Sequence, residues 1–204
     1  MSGVPQLPIT KLPEEGETYK GLSNSPTGIL SDSVRLNLGC GDKILTGYIN
    51  VDVADERKGK KPDVVCDITK LERFADNTVD EILTVHVIEH FYLWKLPAVL
   101  QEWKRVLKPG GVLITESPNL LHACSQIMKS PFEAALPKAQ MSMWPLFGNP
   151  YEEDELMCHR WLFTPQTLTQ FLLEQGFDQI RQEPAVFKLR EPRDFRMVCV
   201  KPKG

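Results

Sequence analysis

Apolar residues in this chain fall into short runs, separated by turn chemistry and by longer stretches of mixed polarity. The runs predict strands near residues 34–38, 49–53, 63–66, 79–85 and 112–116. Between the fourth and fifth, Leu96, Val99, Leu100, Trp103, Val106 and Leu107 recur at steps of three and four, the stripe of an amphipathic helix, and Pro109, Gly110 and Gly111 stop it. A second helix is predicted from an N-cap at Thr164 with Pro165 in its first position; Leu168, Phe171 and Leu172 form its apolar stripe and Gly176 closes it. Strands alternating with crossovers argue for an α/β fold, a parallel sheet with helices on both faces. Ten residues separate Gly41 from Asp52, while a crossover carrying a full helix usually takes a dozen or more, so the first crossover has room for about one helical turn.

The first 33 residues break this rhythm: Pro5, Pro8, Pro13 and Pro26 lie among Ser and Gly with little apolar periodicity, and they read as an arm or linker ahead of one domain, 34–204. The whole chain has 204 residues and 42% hydrophobic content, which suits a single compact domain. A net charge of -3 gives no broad basic footprint, so no nucleic-acid partner is expected. No membrane is expected either, because no apolar run approaches 18 residues and the N-terminus lacks a signal-peptide pattern. A cytoplasmic protein is the default expectation, and a homodimer stays open. The five cysteines are odd in number and form no C-x-x-C pair, so no disulfide framework is expected. His122 with Cys124, and Cys158 with His159, lack the tighter paired spacings of structural zinc sites, and no metal is expected.

The candidate chemistry begins at residues 36–41, L-N-L-G-C-G, where an apolar run breaks into a Gly-x-Gly turn, and the next run carries an acid at Asp52. Glycines at 39 and 41 let the backbone take positive φ and leave no Cβ against a ligand, and an acid ending the next strand can hold a ribose diol. Taken alone, the Gly-x-Gly reads equally as an ordinary turn beside a solvated aspartate. The dinucleotide fingerprint fits poorly: its third glycine position is Ile44 here, and Asp52 follows Gly41 by only 11 residues where about 20 are wanted. No phosphate-binding loop with Lys-Ser or Lys-Thr occurs.

Four ordered landmarks carry a resemblance from about Arg35 to Pro202: L-N-L-G-C-G; N-V-D-V at 50–53; D-V-V-C-D-I at 63–68; and V-D-E-I-L-T-V-H-V-I-E-H-F from Val79, leading to R-V-L-K-P-G-G-V-L-I-T at 105–115. In these the chain resembles the class I S-adenosylmethionine (SAM)-dependent methyltransferases, in a compact form similar to type 11. The resemblance implies a doubly wound, seven-stranded, mostly parallel Rossmann-like sheet closed by an antiparallel last strand, here with a shortened first crossover and with residues 177–182 and 196–200 in the places of strands six and seven. It implies SAM as cofactor and S-adenosylhomocysteine (SAH) as product. Leu38, Gly39, Cys40 and Gly41 would line the methionine and ribose portion, Asp52 and Val53 the ribose, and Asp67 and Ile68 the adenine, with Asp67 reading equally as a turn aspartate before Thr69. The sulfonium already makes the methyl an electrophile, so the protein's task is to bind, orient and desolvate.

His86 is predicted at the carboxyl end of strand four, the edge where open α/β sheets bind ligands, beside the sulfonium and the acceptor. It is a candidate general base, or a histidine that packs on the cofactor; Glu89 and His90 follow one turn later on the same rim and complete the catalytic candidates. The connection 118–164 is too long for a simple loop and holds four of the six methionines, so it reads as a substrate lid after strand five. Met143, Trp144, Phe147, His159 and Trp161 are its candidate substrate residues, with plain core or dimer packing as the alternative; its acidic run, 152–155, reads as a solvated face. Three motifs of other methyltransferases are missing: N-P-P-Y after strand four, a Pro-Cys pair, and a two-glutamate loop. A small-molecule or saccharide oxygen or nitrogen is therefore the expected acceptor. A catalytically silent SAM-binding scaffold is the alternative; an aminopropyltransferase fits less well, since it would present acids where this chain has His86.

Overall fold

A computed structural model describes residues 33–187 and 192–204. All but the last residue of the predicted arm, 1–33, lies outside the described residues. The elements in chain order are β1 (Arg35–Leu38), β2 (Ile49–Asp52), β3 (Val64–Val65), β4 (Val79–Val85), α1 (Leu96–Val106), β5 (Leu107–Pro118), α2 (Leu120–Lys129), α3 (Met143–Phe147), α4 (Pro165–Glu174), β6 (Asp178–Glu183) and β7 (Asp194–Val200). They form one seven-stranded sheet in the order β3-β2-β1-β4-β5-β7-β6. The first five strands pair in parallel, and β7 runs antiparallel between β5 and β6. Every strand predicted from the apolar runs is present, the third reduced to two residues.

Side chains alternate across a strand, and that alternation divides the core in two. Ile82, Leu113, Met197 and Cys199 face the large cluster, where Trp103 of α1 and Leu168 and Leu172 of α4 pack on the sheet. Leu83, Ile114 and Val198, the alternate residues of the same strands, face a small cluster covered by Leu45 and Tyr48 of the first crossover. Among the described residues α1 and α4 share one face, and the first crossover lies against the other, a difference between the two sides of the sheet.

The first crossover explains this difference. It holds no helical turn at all, and its conformation is fixed by two asparagines, each 2% exposed. Asn50 Oδ1 accepts from Asn37 Nδ2 at 3.0 Å and from Leu45 N at 2.8 Å. Asn50 Nδ2 donates to Asp63 Oδ2 at 2.8 Å, and the same oxygen accepts from Asn50 N at 2.8 Å. Buried amides must be paired, and this network pairs them while joining β1, β2 and the entry to β3.

The ends of α1 and α4 follow the local chemistry. Pro109, Gly110 and Gly111 do end α1, but within β5: the register passes from Val79↔Leu107 to Glu81↔Val112, so residues 108–111 bulge out of the pairing. Thr164 accepts from Thr167 N, and Thr167 Oγ1 accepts from Thr164 N, a reciprocal cap that starts α4. Among the described residues no helix is long and apolar enough to cross a membrane.

Candidate functional site

Strand order reverses between β1 and β4, and beyond the carboxyl ends of β1, β4 and β5 lies a cavity of about 700 Å³. Open α/β sheets bind ligands at such a switch point, and this volume suits a small-molecule site.

The glycine turn forms one wall. Gly39 and Gly41 have φ of 65° and 53°, a region glycine enters without strain. Gly39 is also hemmed in: a Cβ there would lie 2.7 Å from Val87 Cγ2. Asp52 holds the turn from behind, its Oδ2 accepting from Gly41 N at 2.8 Å and its Oδ1 from Ala54 N at 3.0 Å. A carboxylate has about four lone-pair sites, so each oxygen can accept a second bond. The Cys40 side chain is buried, and that burial, reinforced by the negative charge of Asp52 and Asp63, pushes its thiol up to about 12. It is an apolar wall residue, with no nucleophilic thiolate at neutral pH.

The other predicted cofactor residues stand around this turn. Leu38 is buried in the core and Val53 is exposed. Asp67 Oδ1 accepts from Thr69 N at 2.9 Å and from Thr69 Oγ1 at 2.7 Å, the geometry of a turn aspartate. Ile68 O accepts from Trp103 Nε1 at 2.8 Å, which anchors the end of the β3 loop to α1. Asp52, Asp67 and Ile68 are not part of the lining of the cavity itself.

At the end of β4 the chain turns sharply. His86 has φ of 57°, rare for a residue with a side chain, and its N–H donates to Glu116 O at 2.8 Å. The turn sends the imidazole onto the cavity wall with its Nδ1 3.2 Å from Glu89 Oε1 and its Nε2 3.5 Å from Asp194 Oδ2. Glu89 is wholly buried in the short 3-10 turn Ile88–His90. Burial alone would raise its pKa, but the His86 hydrogen bond and the fields of His86, His159 and His90 outweigh that and hold it at about 2. Asp194 is likewise held below the ordinary carboxylate range, since burial is outweighed by hydrogen bonds from His86 and Arg193. His90 is lowered by its own burial, against the opposing pull of Glu89.

Segment 118–164 closes over the same cavity. Of the candidate lid residues Trp144 and His159 line it, together with Pro145, Asn149, Glu152 and Met157. Met143, Phe147 and Trp161 do not line it; Phe147 and Trp161 point outward, 62% and 42% exposed. The acidic run is no plain solvated face. Asp154 pairs with Arg57 at 3.1 Å and Glu152 lies 3.8 Å from Lys58, so the run bridges to the loop after β2. Arg160 ties the segment down, its N donating to Glu89 O at 2.7 Å and its guanidinium to His90 O at 2.9 Å. All five cysteines are free.

Arg193, Asp194 and Phe187 escaped the sequence reading. Arg193 is buried, donates to both oxygens of Asp194 at 2.9 and 2.8 Å, and reaches Gln140 O at 3.2 Å. They belong to the site because β7 runs antiparallel, which returns its start to the edge where the parallel strands end. No local motif marks them; only the position of β7 in the sheet could have.

Residues 36–115 match the family described as Methyltransferase domain. No curated protein matches the chain in sequence. Among solved structures, a SAM-dependent methyltransferase from Methanosarcina mazei has a TM-score of 0.59 at 16% identity, over 86% of this chain and 95% of that one. One from Archaeoglobus fulgidus has 0.54 at 18%, over 83% and 86%. A Burkholderia thailandensis 1,6-didemethyltoxoflavin-N1-methyltransferase, solved with 1,6-didemethyltoxoflavin and SAH, has 0.55 at 13%, over 83% and 71%. At these identities the likeness is one of fold. The domain match covers residues 36–115, and the strand order and the glycine turn agree with the fold of these methyltransferases.

Proposed function

We propose that residues 34–204 act as one methyltransferase domain that moves the SAM methyl to an oxygen or nitrogen of a small molecule or saccharide, with 118–164 as its substrate lid. The observation that carries this reading is the shared cavity: one wall is the glycine turn, another is His86 and His90, and the roof is Trp144, Pro145 and His159. A ligand on the turn and an acceptor under the roof would meet beside His86. The volume favours a small acceptor over a macromolecular one, and the lining mixes apolar rings with Asn37, Asn149 and Glu152, suited to hydroxyl-rich ligands.

In this reading Asp52 holds the ribose diol through its remaining lone pairs, and the backbone of residues 39–41 lies against the methionine portion. His86 is a positioning residue, its ring clamped between Glu89 and Asp194. Alignment of sulfonium, methyl and acceptor can itself supply about 7 kcal/mol or more of barrier reduction.

The test is SAH production from SAM across a panel of saccharide, hydroxyl and amine acceptors. SAH is expected to form only when one acceptor class is present; SAM binding with no turnover across the panel would favour a silent scaffold instead. With the acceptor found, His86→Asn should lower kcat by less than about 100-fold at unchanged SAM affinity, below most of the 10²–10⁴ range a general base supplies. A larger fall in kcat would make His86 the base.

A further inference from the structure

Three of the chain's four histidines converge on one buried carboxylate, although His159 is far from the others in sequence. Glu89, His90 and His159 each offer one ligand atom, and these atoms lie within 4.8 Å of one another. Glu89 Oε1 is fully buried, and its neighbours are His86 Nδ1 at 3.2 Å and His159 Nε2 at 3.9 Å. Among the described residues the charge partners of this carboxylate are imidazoles, and no lysine or arginine pairs with it.

The imidazoles are oriented for ligation. His159 Nδ1 lies 2.6 Å from Pro145 O and His90 Nδ1 lies 3.3 Å from Cys158 O, so in each ring Nδ1 faces a carbonyl and Nε2 is the nitrogen left over for a ligand. Backbone carbonyls fixing the far nitrogen are the usual outer support of metal-bound histidine. The two rings meet edge to face, with centroids 4.8 Å apart and planes at 86°, so they present edges to a common point without stacking. Ser117 Oγ, 3.4 Å from Glu89 Oε2, steadies the other carboxylate oxygen.

From this arrangement we infer that Glu89, His90 and His159 form a binding site for one first-row divalent cation, with its open coordination positions facing the acceptor end of the cavity. The donor set, two imidazoles and one carboxylate, matches zinc or cobalt better than magnesium, which prefers oxygen ligands and keeps its waters. Donors about 2.0–2.2 Å from a tetrahedral ion lie roughly 3.3–3.6 Å apart, so the widest separation must close by about 1.2–1.5 Å. The cation would have to draw the His90 and His159 rings inward by that amount, each ring turning about its Nδ1 contact. The sequence expectation of no metal considered His122 with Cys124 and Cys158 with His159; the cluster found is a different one.

The site gives the proposed transfer a feature that the histidines alone do not. Resting on the methyltransferase reading, an acceptor hydroxyl would bind through its oxygen to the cation, which lowers the hydroxyl pKa and releases the proton to solvent. The oxygen pair then forms the bond to the methyl carbon, the carbon–sulfur bond breaks, and its electrons return to sulfur as SAH leaves. This selects oxygen over nitrogen as the methylated atom.

The test is calorimetric titration of the metal-stripped full chain with Zn²⁺ and with Mg²⁺, and the visible spectrum on adding Co²⁺. One equivalent of Zn²⁺ is expected to bind, together with a Co²⁺ spectrum of four- or five-coordinate geometry and no comparable binding of Mg²⁺. His159→Ala should weaken Zn²⁺ binding at least tenfold while SAH affinity holds, and His122→Ala, which removes the fourth histidine, should leave Zn²⁺ binding unchanged. If His159→Ala fails to fold, His90→Asn replaces it with the same expectation. No stoichiometric Zn²⁺ binding, or equal binding by the cluster variants, overturns the inference. SAH titration in parallel separates the two readings: SAH binding without the cation overturns only this site, and the cation without SAH overturns only the methyltransferase assignment.

Discussion

Glu116→Ala is expected to lower the melting temperature by roughly 6–20 °C. Glu116 lies within the buried stretch of β5, where its side chain has no solvent exposure. Its Oε1 accepts from Val186 N at 2.7 Å and from Arg196 Nη1 at 3.0 Å, and its Oε2 accepts from Phe187 N at 3.0 Å. Truncation removes the acceptor that those two backbone N–H groups share among the described residues and strips a near-buried guanidinium of its principal partner. Breaking one side of a buried ion pair costs about 3–5 kcal/mol, and a domain of this size loses about 2–4 °C per kcal/mol. Function should suffer as well, because Phe187, which this carboxylate holds, lines the cavity. Glu116→Gln, which keeps one acceptor, should fall between the variant and wild type. Thermal melts followed by circular dichroism read the effect directly; a shift under about 2 °C would mean that residues 186–187 are held by other means.

Gly39→Ala is expected to weaken SAM binding more than tenfold and to destabilise the fold. The added Cβ would meet Val87 Cγ2 at 2.7 Å, and Val87 is a stiff, buried side chain with little room to yield. The backbone there has φ of 65°, which costs a residue with a Cβ about 1–2 kcal/mol. Overpacking a well-filled site adds typically 1–3 kcal/mol. If even 1.4 kcal/mol of this strain is relieved by moving the turn, the ligand loses a factor of ten. Val87 adjoins His86, so the displacement also reaches the end of β4. Titration with SAM alongside a thermal melt separates the two effects; an unchanged affinity would show that the turn does not contact the ligand.

The parts of the fold legible in the sequence are those written in local pattern. Five apolar runs gave the five parallel strands, and the spacing of Thr164, Pro165 and Gly176 marked α4 because caps and glycine turns are local chemistry; the last two strands came only from the family resemblance. What was not legible depends on contacts across the sheet. Asn37 and Asn50 read as polar interruptions in apolar runs, yet they replace the missing first helix, since a buried amide is worth keeping only where its partners converge. The acidic run 152–155 resembled a solvated face because its partners, Arg57 and Lys58, are nearly a hundred residues away in the chain. The candidate site divides along the same line. Residues 39–41, His86 and His90 were visible from motifs and do share one cavity, whereas Arg193, Asp194 and Phe187 reach it only through the antiparallel return of β7. His159 was visible as a rim residue, but its convergence with His90 on Glu89 was not.

The central claim is that the glycine turn and Asp52 hold SAM, and the measurement that tests it most directly is calorimetric titration with SAM and SAH on wild type and on Asp52→Ala. Asp52 accepts from Gly41 N and Ala54 N, so its loss frees the turn as well as removing the ribose acceptor. Each charge-assisted bond is worth about 1.5–3 kcal/mol, enough for at least a tenfold loss. Micromolar binding to wild type, weakened tenfold or more in Asp52→Ala, is the predicted result; no binding to wild type, or equal binding by both proteins, would contradict it.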